Sequence, residues 1–321
     1  MSSTAPAPAE PAVRGRVSTR IPFALVGPTA SGKTEASIEL ARRLGAEIVV
    51  VDSMTVYRGL DVGTAKPAPA LRRKVPHHLV DVAGPGEAFS VARFQSLARE
   101  ALWDLRRRRV PALLVGGSGL YFRAIVDDLE LPGTEPGLRR SLEAEAGALG
   151  SEALHARLAS FDPEAAARME PSNRRRVVRA LEVAALTGRP FSTFASSWAR
   201  YPEGRVVTAG VRLDPEALRR RIDERVVGMV DGGLLDEVRA LMRRGHDPFL
   251  TASQAIGYVE AVQHLRGWID REDMIASMSR RTRALARRQM AWFRRDPRIR
   301  WFDAGEDALA VVDDVEGWFR R

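Results

Sequence analysis

Cysteine is absent from this 321-residue chain, which excludes disulfides and thiolate metal sites. That suits a reducing compartment, and the cytoplasm is the expected location. Lysine is nearly absent too: of 50 basic residues, only Lys33, Lys66 and Lys74 are lysine and the rest are arginine. No apolar run approaches the roughly 20 residues that a membrane-spanning helix needs, so no membrane association is expected. Residues 1–20, rich in Ser, Thr, Ala and Pro, lack the apolar stretch of a secretory signal and read as a disordered tail. Positive charge, in contrast, is abundant, at +9 net. It points to a polyanionic partner, but an arginine-rich proteome would produce the same excess. The length accommodates one large or two modest domains.

The most specific local signal is Gly27-Pro28-Thr29-Ala30-Ser31-Gly32-Lys33-Thr34, a G-x-x-x-x-G-K-T phosphate-binding loop. An apolar run of strand type, Phe23 to Val26, precedes it. Apolar residues at helical spacing (Ala36, Leu40, Ala41, Leu44) follow and stop at Gly45. Strand, glycine loop and helix together aim backbone N–H groups and a helix N-terminus at a bound phosphate. Lys33 would reach the terminal phosphate, and Thr34 would hold a Mg²⁺ ion shared with it. Arginine cannot replace the compact ammonium inside such a loop, so finding one of three lysines there is informative in itself.

The first half alternates apolar runs with helical patterns, as parallel α/β sheets do. Strands are expected at residues 46–51, 77–82 and 111–115, and a helix at 89–109. Ligands of such sheets lie beyond the carboxyl ends of the strands, which places the loop, Asp52 and Gly116–Tyr121 on one rim. Residues 127–200 are helical and rich in Arg, Ala and Glu, and read as an all-helical insertion domain. The core domain is then residues 21–126 and 201–321, with strands returning near 205–213 and 299–302. The expected architecture is a phosphate-loop NTPase-like parallel sheet flanked by helices.

Many phosphate-loop ATPases place a carboxylate after a strand such as Leu113–Val115. Here Gly116-Gly117 follows instead, which disfavours ATP hydrolysis; paired glycines of this kind let a substrate approach the backbone closely. Asp52 ends an apolar strand and is either an acid/base group or the cap of a turn. His77-His78 lacks further metal-ligand partners and reads as structural. Trp103, Trp198, Trp268 and the methionines read as core residues. The arginine runs, including Arg106–Arg109, are ordinarily solvated helix faces.

Several stretches together resemble the tRNA dimethylallyltransferase (isopentenyltransferase) family. They are the loop; Val51-Asp-Ser-Met-Thr-Val-Tyr-Arg-Gly-Leu-Asp-Val-Gly-Thr-Ala-Lys-Pro67; Pro76-His-His-Leu-Val-Asp-Val82; Phe89-Ser90; Gly116-Gly-Ser-Gly-Leu-Tyr121; Arg179-Ala-Leu-Glu-Val183; Ile256-Gly-Tyr258; and the segment Thr282 to Gln289. The matches run in the family's order from about residue 22 to 302. The resemblance implies transfer of a dimethylallyl group from dimethylallyl diphosphate to N6 of the adenosine beside the anticodon (position 37) in the anticodon stem-loop of tRNA. It implies that the loop and Mg²⁺ hold the diphosphate, that Asp52 is the general base, and that Arg221 is an active-site arginine. Asp52, Ser53, Met54, Thr55 and Ser118 match positions near the target base. Arg175, Arg176, Val177, Val178 and Arg179 match a tRNA-contacting segment, and the helix at 280–295 offers a further arginine face. A monomer is expected. The competing readings are an adenylate dimethylallyltransferase, which needs no long arginine surface, and a phosphate-loop small-molecule kinase.

Overall fold

A computed structural model describes residues 21–195, 198, 200–245 and 255–321. The expected tail at 1–20 lies outside the described residues. Six parallel strands form one sheet: β1 (Phe23–Val26), β2 (Glu47–Val51), β3 (His77–His78), β4 (Ala112–Gly116), β5 (Val207–Arg212) and β6 (Ile299–Asp303). They lie in the order β3-β2-β4-β1-β5-β6. Strand residues alternate between two buried faces. Ala24, Val26, Val49, Val51 and Leu114 join one core, and Phe23, Leu25, Ile48, Val50, Leu113 and Val115 the other. Helices cover both faces, as an all-parallel sheet requires. The helices Lys33–Leu44 and Val312–Phe319 cover the second core. The first is covered by Val91–Arg108, Gly119–Val126, Pro215–Asp231 and Arg271–Phe293, which contribute Phe94, Phe122, Val226 and Phe293 among others.

The helix after the loop ends on Gly45, whose left-handed φ of 62° lets its N–H reach Ala41 and Arg42 carbonyls. Ser90 caps the helix Val91–Arg108 by accepting from Arg93 N at 3.1 Å. Between Gly119–Val126 and β5, five helices from Pro136–Leu149 to Phe191–Ala195 gather around an apolar cluster of their own, centred on Leu154, Leu158 and Val177.

Two expectations are corrected. Only His77 and His78 of the run at 77–82 pair with β2, because Leu79 and Asp81 take left-handed φ values of 64° and 60° and turn the chain away. Asp81 thereby receives Lys66 Nζ at 2.6 Å and Arg72 at 2.7 Å. Trp103 and Trp268 are not core residues: they are 66% and 63% exposed. Trp103 lies off the stripe of Phe94, Ala98 and Leu105 that its helix buries, and Arg107 lies over its ring at 5.4 Å. The two histidines are structural: His77 Nδ1 lies 2.7 Å from Val75 O, and His78 Nε2 2.7 Å from Glu47.

Candidate active site

The strand register builds the rim. Val26 of β1 and Val51 of β2 both lie level with Gly116 of β4, which runs between them. The loop after β1, Asp52 after β2 and Gly117–Ser118 after β4 therefore emerge side by side. With strands about 4.8 Å apart, Asp52 and the loop's first residue stand roughly 10 Å apart. A cleft of about 880 Å³ opens above them, lined by residues 29–35, 52–55, 63–68 and 116–120 and by Arg221, Arg225, Met278, Arg288, Gln289, Trp292 and Arg295.

Close packing explains the loop's glycines. A Cβ on Gly27 would stand 2.4 Å from Val211 O, and one on Gly32 would stand 2.9 Å from Ala308 Cβ at a φ of 78°. Ser31 is fully buried and donates to Pro28 O at 2.9 Å. Lys33 Nζ donates to Pro28 O and, at 3.2 Å, meets Ser31 Oγ. Burial, reinforced by the charge of Arg225 and only partly opposed by Asp52 and Glu35, pushes the Lys33 ammonium down to about 7. A tether comes from far away in sequence: Thr29 N donates to Gln289 Oε1 at 2.7 Å.

Asp52 caps a turn and also borders the cleft. Its Oδ1 accepts from Met54 N at 2.7 Å and Thr55 N at 3.2 Å, an Asx turn that fixes the carboxylate's direction. The turn uses one oxygen of two, and Asp52 lines the cleft. Ser53, Met54 and Thr55 line it as well, and the buried Thr55 Oγ1 has no hydrogen-bond partner among the described residues. The following segment is pinned from below and outside. Lys66 Nζ, 1% exposed, binds Tyr57 O and the carboxylates of Asp61 and Asp81. Glu237 accepts from the backbone N–H groups of Asp61, Val62 and Gly63 and from Tyr258 OH. A Cβ on Gly63 would meet Tyr258 at 2.4 Å.

The glycines after β4 border the cleft and are also required by the protein's own packing. A Cβ on Gly116 would lie 2.0 Å from Val51 O, one on Gly117 2.5 Å from Gln289, and one on Gly119 2.8 Å from Trp292. The helix Arg271–Phe293 thus presses onto the β4 turn and carries Gln289 to the loop. Ser118 lines the cleft beside it. Arg221 donates to Glu306 O at 2.9 Å, and its guanidinium borders Gly32. Gln289 and Arg225 were not singled out from sequence. Only the chain Thr282–Gln289 carried a signal for the first; nothing local marked the second.

The arginine runs divide by partner. Arg281 pairs with the buried Glu260 at 2.6 Å and Arg283 with Asp223 at 2.6 Å. Arg280, Arg287, Arg288, Arg294 and Arg295 are exposed and make no ion pair among the described residues, and Arg288 and Arg295 border the cleft. In the five-helix region, Arg175 and Arg176 are exposed and likewise unpaired. Val177 and Val178 are 0% and 3% exposed, so their side chains belong to the local core and reach no partner. Arg179 holds the carbonyls of Pro132 and Gly133 and the buried Glu182. Its guanidinium is committed to the protein.

Thr34 also lines the cleft, at the start of the helix Lys33–Leu44. Among the described residues no cluster of three His, Asp or Glu side chains could hold a metal alone. A single hydroxyl beside a phosphate loop fits Mg²⁺, which keeps several waters and takes its other oxygens from a diphosphate.

Among the described residues no helix is long and apolar enough to cross a membrane. The sequence matches a family model described as IPP transferase over residues 55–296, and one described as isopentenyl transferase over residues 21–76. It is 46% identical over 306 residues to the tRNA dimethylallyltransferase of Bifidobacterium animalis subsp. lactis, covering 92% of this chain and 87% of that one. The full-length tRNA isopentenylpyrophosphate transferase of Bacillus halodurans superposes with a TM-score of 0.68 at 39% identity, covering 93% and 95% of the two chains. A eukaryotic dimethylallyltransferase acting on tRNA superposes with a TM-score of 0.74 at 25% identity, covering 89% and 74%. The phosphate loop, the aspartate turn and these matches lead to one conclusion: the chain belongs to the IPP transferase family, that of the tRNA dimethylallyltransferases.

Proposed function

We propose that this protein transfers a dimethylallyl group from dimethylallyl diphosphate to N6 of the adenosine beside the anticodon (position 37) of tRNA. The carrying observation is one cleft that joins a phosphate loop, a carboxylate roughly 10 Å across from it, and a mouth bordered by Arg288 and Arg295. Lys33 and the loop N–H groups bind the diphosphate. As the allylic C–O bond breaks, the electron pair stays on the diphosphate oxygen, and the loop's preorganised donors stabilise that charge. Thr34 would hold Mg²⁺, which would supply further positive charge there. Adenine N6 attacks the allylic carbon, and its proton passes to Asp52 Oδ2, since Oδ1 is engaged by the turn. Arg221 reinforces the loop beside Gly32.

The adenine must leave its stack to enter the cleft. The unpaired Arg280, Arg287, Arg288, Arg294 and Arg295, with Arg175 and Arg176 of the helical insertion domain, 127–200, bind the RNA backbone. A monomeric enzyme acting on tRNA in the cytoplasm completes this reading.

The test is mass spectrometry of nucleosides from unmodified tRNA incubated with the protein, Mg²⁺ and dimethylallyl diphosphate. A dimethylallyl gain on adenosine beside the anticodon is expected. A gain on free AMP but not on tRNA would refute the tRNA reading in favour of an adenylate enzyme.

A further inference from the structure

The five-helix region has an apolar cluster of its own, separate from both cores of the sheet. Its pose relative to the cleft is therefore set where the chain enters and leaves it. Entry is at Asp127, which ends the helix Gly119–Val126. The chain returns through Arg200, Tyr201 and Pro202, which lie in neither helix nor strand. Backbone carbonyls in such a segment need donors from elsewhere. Two guanidiniums supply them: Arg123 donates to Trp198 O and Arg200 O, both at 2.6 Å, and Arg298 donates to Pro202 O at 3.0 Å. The same two guanidiniums meet on Asp127, Arg123 through Nε and Arg298 at 2.6 Å. Asp296 completes the set by accepting from Arg298 at 2.7 and 2.9 Å. The centroid of the Tyr201 ring lies 4.2 Å from the Arg123 guanidinium and 5.4 Å from that of Arg298. All four charged side chains are at most 8% exposed.

Buried ion pairs add little net stability over apolar packing of the same volume; what they supply is directional bonds. Here those bonds join both crossings of the chain to each other and to two helices that frame the cleft. Arg123 lies on Gly119–Val126, which starts beside Ser118, and Asp296 and Arg298 follow Arg271–Phe293, which carries Gln289 and Trp292. Trp198 in turn meets Trp292 edge-on at 6.1 Å. None of the four charged residues lines the cleft. Building on the prenyl-transfer reading above, we propose that Arg123, Asp127, Asp296 and Arg298 are positioning residues. They fasten the root of the five-helix region to the cleft walls, and so hold Arg175 and Arg176 in fixed register with Arg288 and Arg295 at the mouth. Two phosphate-binding surfaces at a rigid spacing engage one RNA as a bivalent receptor, and a loosened root dilutes the second contact.

The test uses the full chain. Because the chain lacks cysteine, Glu152→Cys in the five-helix region and Asp314→Cys on the helix Val312–Phe319, both exposed, accept a single pair of spin labels. Their separation is read by double electron–electron resonance without substrate. The otherwise wild-type protein gives one narrow distance distribution, and adding Arg298→Met broadens it. In Arg298→Met, tRNA binding read without turnover weakens about tenfold or more, and KM for tRNA rises with it. KM for dimethylallyl diphosphate and binding of inorganic pyrophosphate with Mg²⁺ stay within about twofold, because the phosphate loop is untouched. Arg298→Lys keeps the charge between Asp127 and Asp296 and recovers part of the tRNA affinity; it also serves if the Met variant fails to fold. A cluster that merely stabilised the fold would lower the melting temperature and leave the distances and the tRNA affinity unchanged. That result would overturn the proposal, as would equal losses for tRNA and pyrophosphate, or a distribution already broad without Arg298→Met. A wild-type protein whose tRNA affinity depends on Arg298 but which modifies no tRNA would sink the prenyl-transfer reading alone.

Discussion

Asp52→Asn separates the two roles that converge on one side chain. The amide retains a carbonyl oxygen where Oδ1 accepts from Met54 N at 2.7 Å and Thr55 N at 3.2 Å, so the turn survives. What is lost is the ability to take a proton. General-base catalysis contributes about 10²- to 10⁴-fold, and kcat should fall by that factor. KM for dimethylallyl diphosphate should change little, since the loop is untouched. Weakening two hydrogen bonds from charge-assisted to neutral costs about 1 kcal/mol, a few degrees in melting temperature at most. Asp52→Ala removes base and turn together and should lose a further 1–2 kcal/mol, about two backbone donors left without their acceptor. The assay is single-turnover prenylation of unmodified tRNA at saturating diphosphate, with melting curves alongside. An Asn variant within threefold of wild type in rate would refute the base assignment. An Asn variant as unstable as the Ala variant would refute the account of the turn.

Lys66→Met strips the shared cation from Asp61 and Asp81. Because those carboxylates are 57% and 30% exposed, the loss should sit near about 3 kcal/mol, the low end for a broken buried pair, as read from denaturant melts. Gly116→Ala drives a Cβ to 2.0 Å from Val51 O, backbone against backbone, and should leave little soluble protein on expression. Glu182 is wholly buried; burial would raise its carboxyl, but Arg139, Arg179 and the Glu135 N–H outweigh that and hold it below its ordinary 4.5. With the folded value depressed, its stabilisation is present above pH 4.5 and fades as pH falls through the lowered value. Glu182→Gln should therefore flatten the acid limb of melting temperature against pH. An acid limb identical to wild type would refute it.

Much of the core was legible because its determinants are local. Eight consecutive residues specify a phosphate loop, since the ligands are the loop's own backbone N–H groups and the adjoining helix end. The strands at Phe23–Val26 and Glu47–Val51 are continuous apolar runs because both faces are buried, which only a covered parallel sheet explains. Asp52 could be placed on the rim from its position at a strand end alone. Other features failed for the opposite reason. The run at 77–82 has strand composition, but Lys66 and Arg72 draw Asp81 into a turn, and a distant ion pair overrides local propensity. Val177 and Val178 share a motif with Arg175 and Arg176, yet helix geometry sends the valines inward and the two arginines outward.

By itself, then, the sequence determined the parallel α/β frame, the loop that receives a diphosphate, the aspartate and the family, because each is written in neighbouring residues and their periodicity. Only the tertiary structure decided what surrounds them. It brought Gln289 across 260 residues to Thr29, set Arg225 near Lys33, and showed that Gly116 and Gly117 make room for Val51 and Gln289. Such convergence depends on which helix faces pack together. Packing is a sum over many weak contacts between distant segments, and no local stretch of sequence encodes it.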